Sequence, residues 1–304
     1  MEAPVTHEYN YVDLATRYER EVVPTKAPQT QKGNRLELKQ LAKFFGNPPA
    51  PLNQITPQRV HQYLAWRKFI TRANREKALL SHMFNMARQW GWTSLANPCA
   101  GIKGATEHGR AVYVEDDALE LIRKCADPPV RNALRLAYLT GQRPADVISS
   151  TSEDISADQL VVTPAKTSRS THNKIRIELR KKDKTWNTLG EFLETLRPKD
   201  QPTGKPYALL RDRKGKQLTY AQLNNGFNNA KELAQMCLSG EEDAALAAHI
   251  AEIQFRDIRA KAATDTAVRT GDIRSAQKQL GHASATMTEH YVRARLGDVV
   301  EPTK

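Results

Sequence analysis

Apolar residues in this chain recur at the three-to-four spacing of a helix face along nearly its whole length, and only between residues 160 and 179 does the period fall to two. That pattern restricts the fold to a mainly α architecture with one small antiparallel sheet. Leu36, Leu38, Leu41, Ala42, Phe44 and Phe45 mark one helix. Thr56-Pro57 opens the next: the threonine suits a cap, the proline the first helical position, and Ile55 is placed to staple onto Val60. A third is expected over 71–90, with Ala73, Leu80, Met83, Phe84 and Ala87 turned inward. Helices follow at 115–125, 130–140 and 145–149, then two strands at 160–162 and 175–179 joined by the polar stretch 166–173. The helical period returns over 185–196, 220–236, 242–253, 256–270 and 286–295. Core packing is the expected fate of Trp186, Tyr207 and Tyr220.

Residues 99–110 are rich in glycine and polar groups and carry no apolar period, as a linker would. The expected division is therefore a helical domain over 1–105, a linker at 106–111 and a second domain over 112–304. Charge is unevenly spread between them. The whole chain has 46 Lys and Arg against 34 Asp and Glu, a formal +12, yet residues 26–88 alone hold twelve of those cations and only Glu37 and Glu76 against them. Such a surplus suits a polyanion. Lys39, Lys43, Arg67, Lys68, Arg72, Arg75 and Lys77 are the candidate phosphate contacts, although a run of charge on a helix is also what a plain solvated face looks like.

Several chemistries lack their parts. The sequence contains no GxxxxGK[ST] or GxGxxG loop, no HExxH and no metal-spaced His/Cys cluster, so neither a cofactor nor a metal is expected. Cys99, Cys125 and Cys237 are far apart in sequence and read as isolated core thiols. No run of about 18 apolar residues exists to span a membrane, and the acidic start carries no secretory pattern. A cytoplasmic protein is expected, bacterial or phage-encoded.

Four motifs stand out in the second half: TGQRPADV at 140–147, PAKTS at 164–168, FRDIR at 255–259 and QLGHASATMTEHYVR at 279–293. In order and spacing the chain resembles the tyrosine recombinases, the phage-integrase family of site-specific DNA recombinases. The resemblance runs over nearly the whole length, because a basic helical domain precedes the motif-bearing one. It implies a SAM-like core-binding domain followed by an α-rich catalytic domain. Arg143 matches the first family arginine, Lys166 the hairpin lysine and Arg259 the arginine closing the His-x-x-Arg box. His282 matches the Leu-Gly-His histidine, and Tyr291 the nucleophile. Arg256 stands where the box commonly has histidine, and because arginine stays charged a general-base role there is in doubt. Three residues before Arg259, it is positioned to share a helix face and a phosphate with it.

Physical chemistry supports the same set. A phosphodiester attacked by an oxygen nucleophile gathers negative charge on its non-bridging oxygens, and guanidinium forks with an imidazole donor stabilise that charge without a metal. Tyr291 supplies the attacking phenol, and Lys166 a proton for the departing 5′ oxygen. The covalent link retains the phosphodiester energy, so rejoining needs no nucleotide. Taken singly, each residue has a plainer reading; Tyr291, with Met287 and Ala294 on one face, is a core aromatic by pattern alone.

By resemblance the partner is double-stranded DNA, bound by a homo-tetramer on two sites that exchanges a C-terminal segment, with a possible accessory DNA-bending protein. Thirteen residues follow Tyr291 for such a tail, and the first helix, expected near Tyr9, leaves no room for a preceding arm-binding domain. Two alternatives remain at this stage: a type IB topoisomerase-like enzyme, and a non-catalytic sequence-specific DNA-binding regulator on the same scaffold.

Overall fold

A computed structural model describes residues 8–107, 109–110, 112–165, 174–200, 202, 204–240 and 243–296, with the side chains of 290, 291 and 293–296 left aside. The chain divides into two compact units, Met1–Gly109 and Arg110–Lys304.

In the first unit α1, Tyr11–Arg17, begins at a capping box: the Asn10 side chain accepts from the Asp13 backbone N–H while the Asp13 carboxylate accepts from that of Asn10. The chain continues through a π-turn, Tyr18–Val22, and a 3₁₀ turn, Val23–Thr25, into α2, Pro28–Phe45. After α2 come α3, Pro57–Trp66, and α4, Ile70–Gln89. Thr56 caps α3 by accepting from the Arg59 N–H at 3.3 Å, and Ile55 and Val60 are both buried, as a staple requires. The inward stripe of α4 meets Tyr11, Leu41, Phe45 and Tyr63 in one aromatic-rich core.

The second unit opens with α5, Asp116–Cys125, α6, Pro128–Thr140, and α7, Pro144–Ser149. Strands β1, Ile155–Ser156, β2, Gln159–Val162, and β3, Ile175–Glu178, form an antiparallel sheet in the order β1-β2-β3, with Leu160 opposite Ile177 and Val162 opposite Ile175. Leu160, Val162 and Ile175 turn into the core, which is why the period there is two. Then come α8, Thr188–Leu196, α9, Tyr220–Met236, α10, Ala244–Glu252, α11, Asp257–Thr270, α12, Ile273–Leu280, and α13, Ala285–Leu296. Helix α11 packs against α6, α12 and α13, and its Ala260, Ala262, Ala263 and Ala267 keep the approach close.

Three expectations change. Residues 273–280 form a helix beyond those expected, with Ile273, Ala276 and Leu280 at helical spacing; Asp272 starts it by accepting from the Arg274 and Ser275 N–H groups at 2.9 and 3.1 Å. Tyr220 is exposed at the first position of α9, whereas Trp186 and Tyr207 pack against the core. Cys125 is half-buried and Cys237 exposed, so of the three free cysteines only Cys99 is a buried core thiol. Among the described residues no helix is long and apolar enough to cross a membrane.

Candidate active site

Two helices end on left-handed glycines directly before two of the motif residues. Gly141, with φ 67°, closes α6 two residues ahead of Arg143, and Gly281, with φ 62°, closes α12 one residue ahead of His282. The second has a steric reason as well, since a Cβ on Gly281 would stand 2.6 Å from the Ile175 side chain. These stops turn the chain sharply and deliver both functional side chains to one place. The intervening Gln142 stitches the turns together, its amide donating to the Thr140 carbonyl at 3.0 Å and the Gln279 carbonyl at 2.7 Å.

Arg259 lies at the centre, on the first turn of α11, with only 6 % of its surface exposed. Its Nη1 donates to the Gly141 carbonyl at 2.8 Å, and its Nη2 to the Leu280 carbonyl at 2.6 Å. The same Nη2 stands 3.2 Å from His282 Nε2. A guanidinium nitrogen has only hydrogens to offer, so His282 Nε2 is the acceptor and the ring proton sits on Nδ1. There it faces Thr288 Oγ1 at 3.0 Å. Burial, reinforced by the positive charges of Arg259 and Arg143, pushes the His282 pKa down to about 4, so the imidazole is neutral near pH 7.

Arg143 is the N-cap residue of α7 and approaches Asp146 at 3.8 Å. Sequence reasoning passed over Asp146, although it lies three positions after Arg143 in the same motif. Its Oδ1 accepts from the Ala165 N–H at 3.0 Å, which fixes the residue preceding Lys166 beside the arginine. Among the described residues, Arg143 Nη1 and Asp146 Oδ2 have no hydrogen-bond partner although both are buried. A guanidinium N–H held in place without a partner suits an incoming anion oxygen.

Helix α11 is pinned along one side. Arg110 grips Asp257 at 3.1 Å and donates to the Glu252 carbonyl at 2.6 Å. One and two turns on, buried Lys261 bridges Asp116 and Asp265, and the Tyr113 and Tyr138 hydroxyls donate to Asp265 at 2.9 and 2.7 Å. The two carboxylates hold the Lys261 ammonium protonated despite burial. A groove of about 780 Å³ runs from His282 along β3 and α12, lined by Lys174, Arg176, Arg274 and Lys278 among others.

The structure therefore brings Arg143, Arg259 and His282 together. Arg256 directly precedes α11 with helical backbone angles; its side chain is exposed, and among the described residues no hydrogen bond or ion pair holds it. Lys166 lies outside the described residues, and so does the side chain of Tyr291, whose backbone belongs to α13. Of the face expected from pattern only Met287 has a described side chain, and it is exposed; among the described side chains Thr288 is buried and Val292 packs inward.

The first unit's cations divide. Lys39, Lys43, Lys68, Arg72 and Arg75 are exposed. Arg67 is not available as expected: it makes a bidentate pair with Glu76 at 2.8 Å in both arms, and Glu76, 3 % exposed, also accepts from the Tyr63 hydroxyl at 2.6 Å. Lys77 is half-buried and donates to the Ile102 carbonyl.

Residues 113–296, more than half of the chain, match the model of the phage integrase family. Comparison with curated proteins gives no match. Among solved structures, a lambda integrase dimer bound to a COC′ core site is similar with a TM-score of 0.77 and 20 % identity, over 100 % of this chain and 84 % of that one. A lambda integrase tetramer bound to a Holliday junction gives 0.76 and 20 %, over 98 % and 81 %. The Tn1549 transposon integrase in complex with transposon right end DNA gives 0.69 and 15 %, over 93 % and 94 %.

Proposed function

Because the chain belongs to the phage integrase family, the tyrosine-type site-specific recombinases, we propose that it cuts and rejoins double-stranded DNA through a 3′-phosphotyrosyl intermediate formed on Tyr291. In this reading Arg143, Arg259 and His282 surround the scissile phosphorus. The Tyr291 hydroxyl releases its proton to solvent as its oxygen bonds to phosphorus, the bond to the 5′ oxygen breaks, and Lys166 gives that oxygen a proton. The guanidinium groups hold the non-bridging oxygens through the transition state, where the added negative charge makes their hydrogen bonds strongest. Arg256, exposed at the start of α11, serves as a phosphate contact at the rim. Residues 1–105 form the core-type DNA-binding domain and 112–304 the catalytic domain. Lys39, Lys43, Lys68, Arg72 and Arg75 contribute phosphate contacts that set affinity rather than sequence. A tetramer acting on two duplexes, as implied by the family, completes the reaction.

The observation that carries this reading is the cluster of buried Arg259, half-buried Arg143 and a neutral imidazole, with an Arg143 N–H that makes no hydrogen bond among the described residues. Its test is a nicked suicide duplex built on the sequence that the protein selects from a random DNA pool. Wild type is expected to leave a covalent protein–DNA adduct, and Tyr291→Phe to bind equally without forming one. An adduct of equal yield in the variant removes Tyr291 as nucleophile. Specific binding with no adduct from wild type returns the chain to a non-catalytic regulator.

A further inference from the structure

Among the described side chains of α13, Thr288 is the one fully buried hydroxyl, and its Oγ1 lies 3.0 Å from His282 Nδ1. It sits three residues, one helical turn, before Tyr291. Val292, on the same inward side, packs against Ala263, Ala267, Ala276 and Leu280 of α11 and α12. The contact between Thr288 and His282 thus joins two things that the reaction must bring into register: the imidazole at the phosphate and the helix that bears the nucleophile.

We propose that Thr288 is the positioning residue of His282, holding the ring with Nε2 toward the phosphate while its hydroxyl follows the ring through each protonation state. This inference rests on the recombinase reading above. The chemistry of a hydroxyl explains the choice. In the free site Arg259 donates to Nε2, the proton is on Nδ1, and Thr288 accepts it. Once a phosphate oxygen replaces Arg259 at Nε2, the ring needs its hydrogen on that side. Thr288 then donates to a bare Nδ1, or accepts again if the ring has become a cation. A carboxylate at this position would only accept, and would draw the ring toward its cationic form; a hydroxyl serves every form with no rearrangement of heavy atoms. A buried Nδ1 with no partner costs the full desolvation of that group, so valine, which keeps the shape and removes the oxygen, isolates the effect.

Single-turnover cleavage of the nicked suicide duplex tests this, with DNA affinity measured in parallel. Thr288→Val is expected to slow adduct formation about tenfold while leaving binding unchanged, and Thr288→Ser to stay within about threefold of wild type because the hydroxyl remains. In a His282→Ala background the valine substitution is expected to cost nothing further, because a positioning residue has no effect once its target is gone. Thr288→Val at the wild-type rate, serine as slow as valine, or multiplicative losses in the double variant would each overturn the proposal. If the valine variant fails to fold, Thr288→Ala takes its place: about the same tenfold loss is expected, and cleavage at the wild-type rate overturns the proposal. The two readings fail separately, since absence of any wild-type adduct defeats the recombinase assignment, whereas a normal adduct with an indifferent Thr288 defeats only this one.

Discussion

Arginine serves opposite ends in the two units. In the second, Arg259 is buried against backbone carbonyls and a neutral histidine. In the first, Arg67 is half-buried and both arms of its fork are taken by a glutamate. A guanidinium neutralised by a carboxylate is a structural joint. One held by carbonyl dipoles keeps its positive charge for an anion, and the protein tolerates that charge because the site is built to receive the opposite one. The exposed lysines and arginines of α2 and α4 form a third class, free in water and worth little until a polyanion displaces their counterions.

The largest expected effect comes from degrading the carbonyl-held fork. Arg259→Lys keeps the charge but cannot reach Gly141, Leu280 and His282 together, and should slow single-turnover cleavage by about 10²- to 10³-fold; a loss under about fivefold would mean that the fork geometry is unimportant. Glu76→Ala addresses the other arginine. It strips Arg67 and Tyr63 of their shared partner and should destabilise the first unit by about 3 kcal/mol in urea unfolding, while cleavage per folded molecule stays near wild type.

The pH dependence of stability sharpens the contrast further. His282 has a folded pKa of about 4, below its unfolded value near 6.5, so the unfolded chain binds the proton first. Stability from this group is full above about pH 6.5 and is lost as the pH falls toward 4, by about 2 kcal/mol between pH 7 and pH 5. His282→Gln should lose less than wild type over the same interval, and equal losses would separate the histidine from the effect. The smallest change is expected from the exposed class. Lys39→Gln or Arg72→Gln should leave the urea midpoint in place and lower the slope of log affinity against log salt by about 0.9 each. Arg67→Gln should instead weaken folding and leave that slope almost untouched.

How far these roles can be read from the sequence follows from their range. Gly141 and Gly281 are legible because left-handed helix stops are local, and with them the placement of Arg143 and His282. The α-helical stripes and the period-two strands are equally local. Helix α12 is local in origin too, with Ile273, Ala276 and Leu280 at helical spacing behind the Asp272 cap, but it is only 8 residues long and offers a short pattern. Asp146 is in plain view within its motif, yet its hold on Ala165 spans 19 residues and two elements. Arg67 reads as one more cation in a basic stretch until α4 folds back and brings Glu76 to it.

The order and spacing of the motif residues, and the helical frame that carries them, were thus already determined by the sequence, since backbone propensity, caps and apolar periodicity act over a few neighbours. Which cations stay available, which tautomer His282 holds and what Thr288 touches were decided only by tertiary structure. Hydrogen bonding and desolvation depend on what lies within a few ångströms in space, and packing brings those partners from 6 residues away for Thr288 and 118 for the Arg259 contact with Gly141.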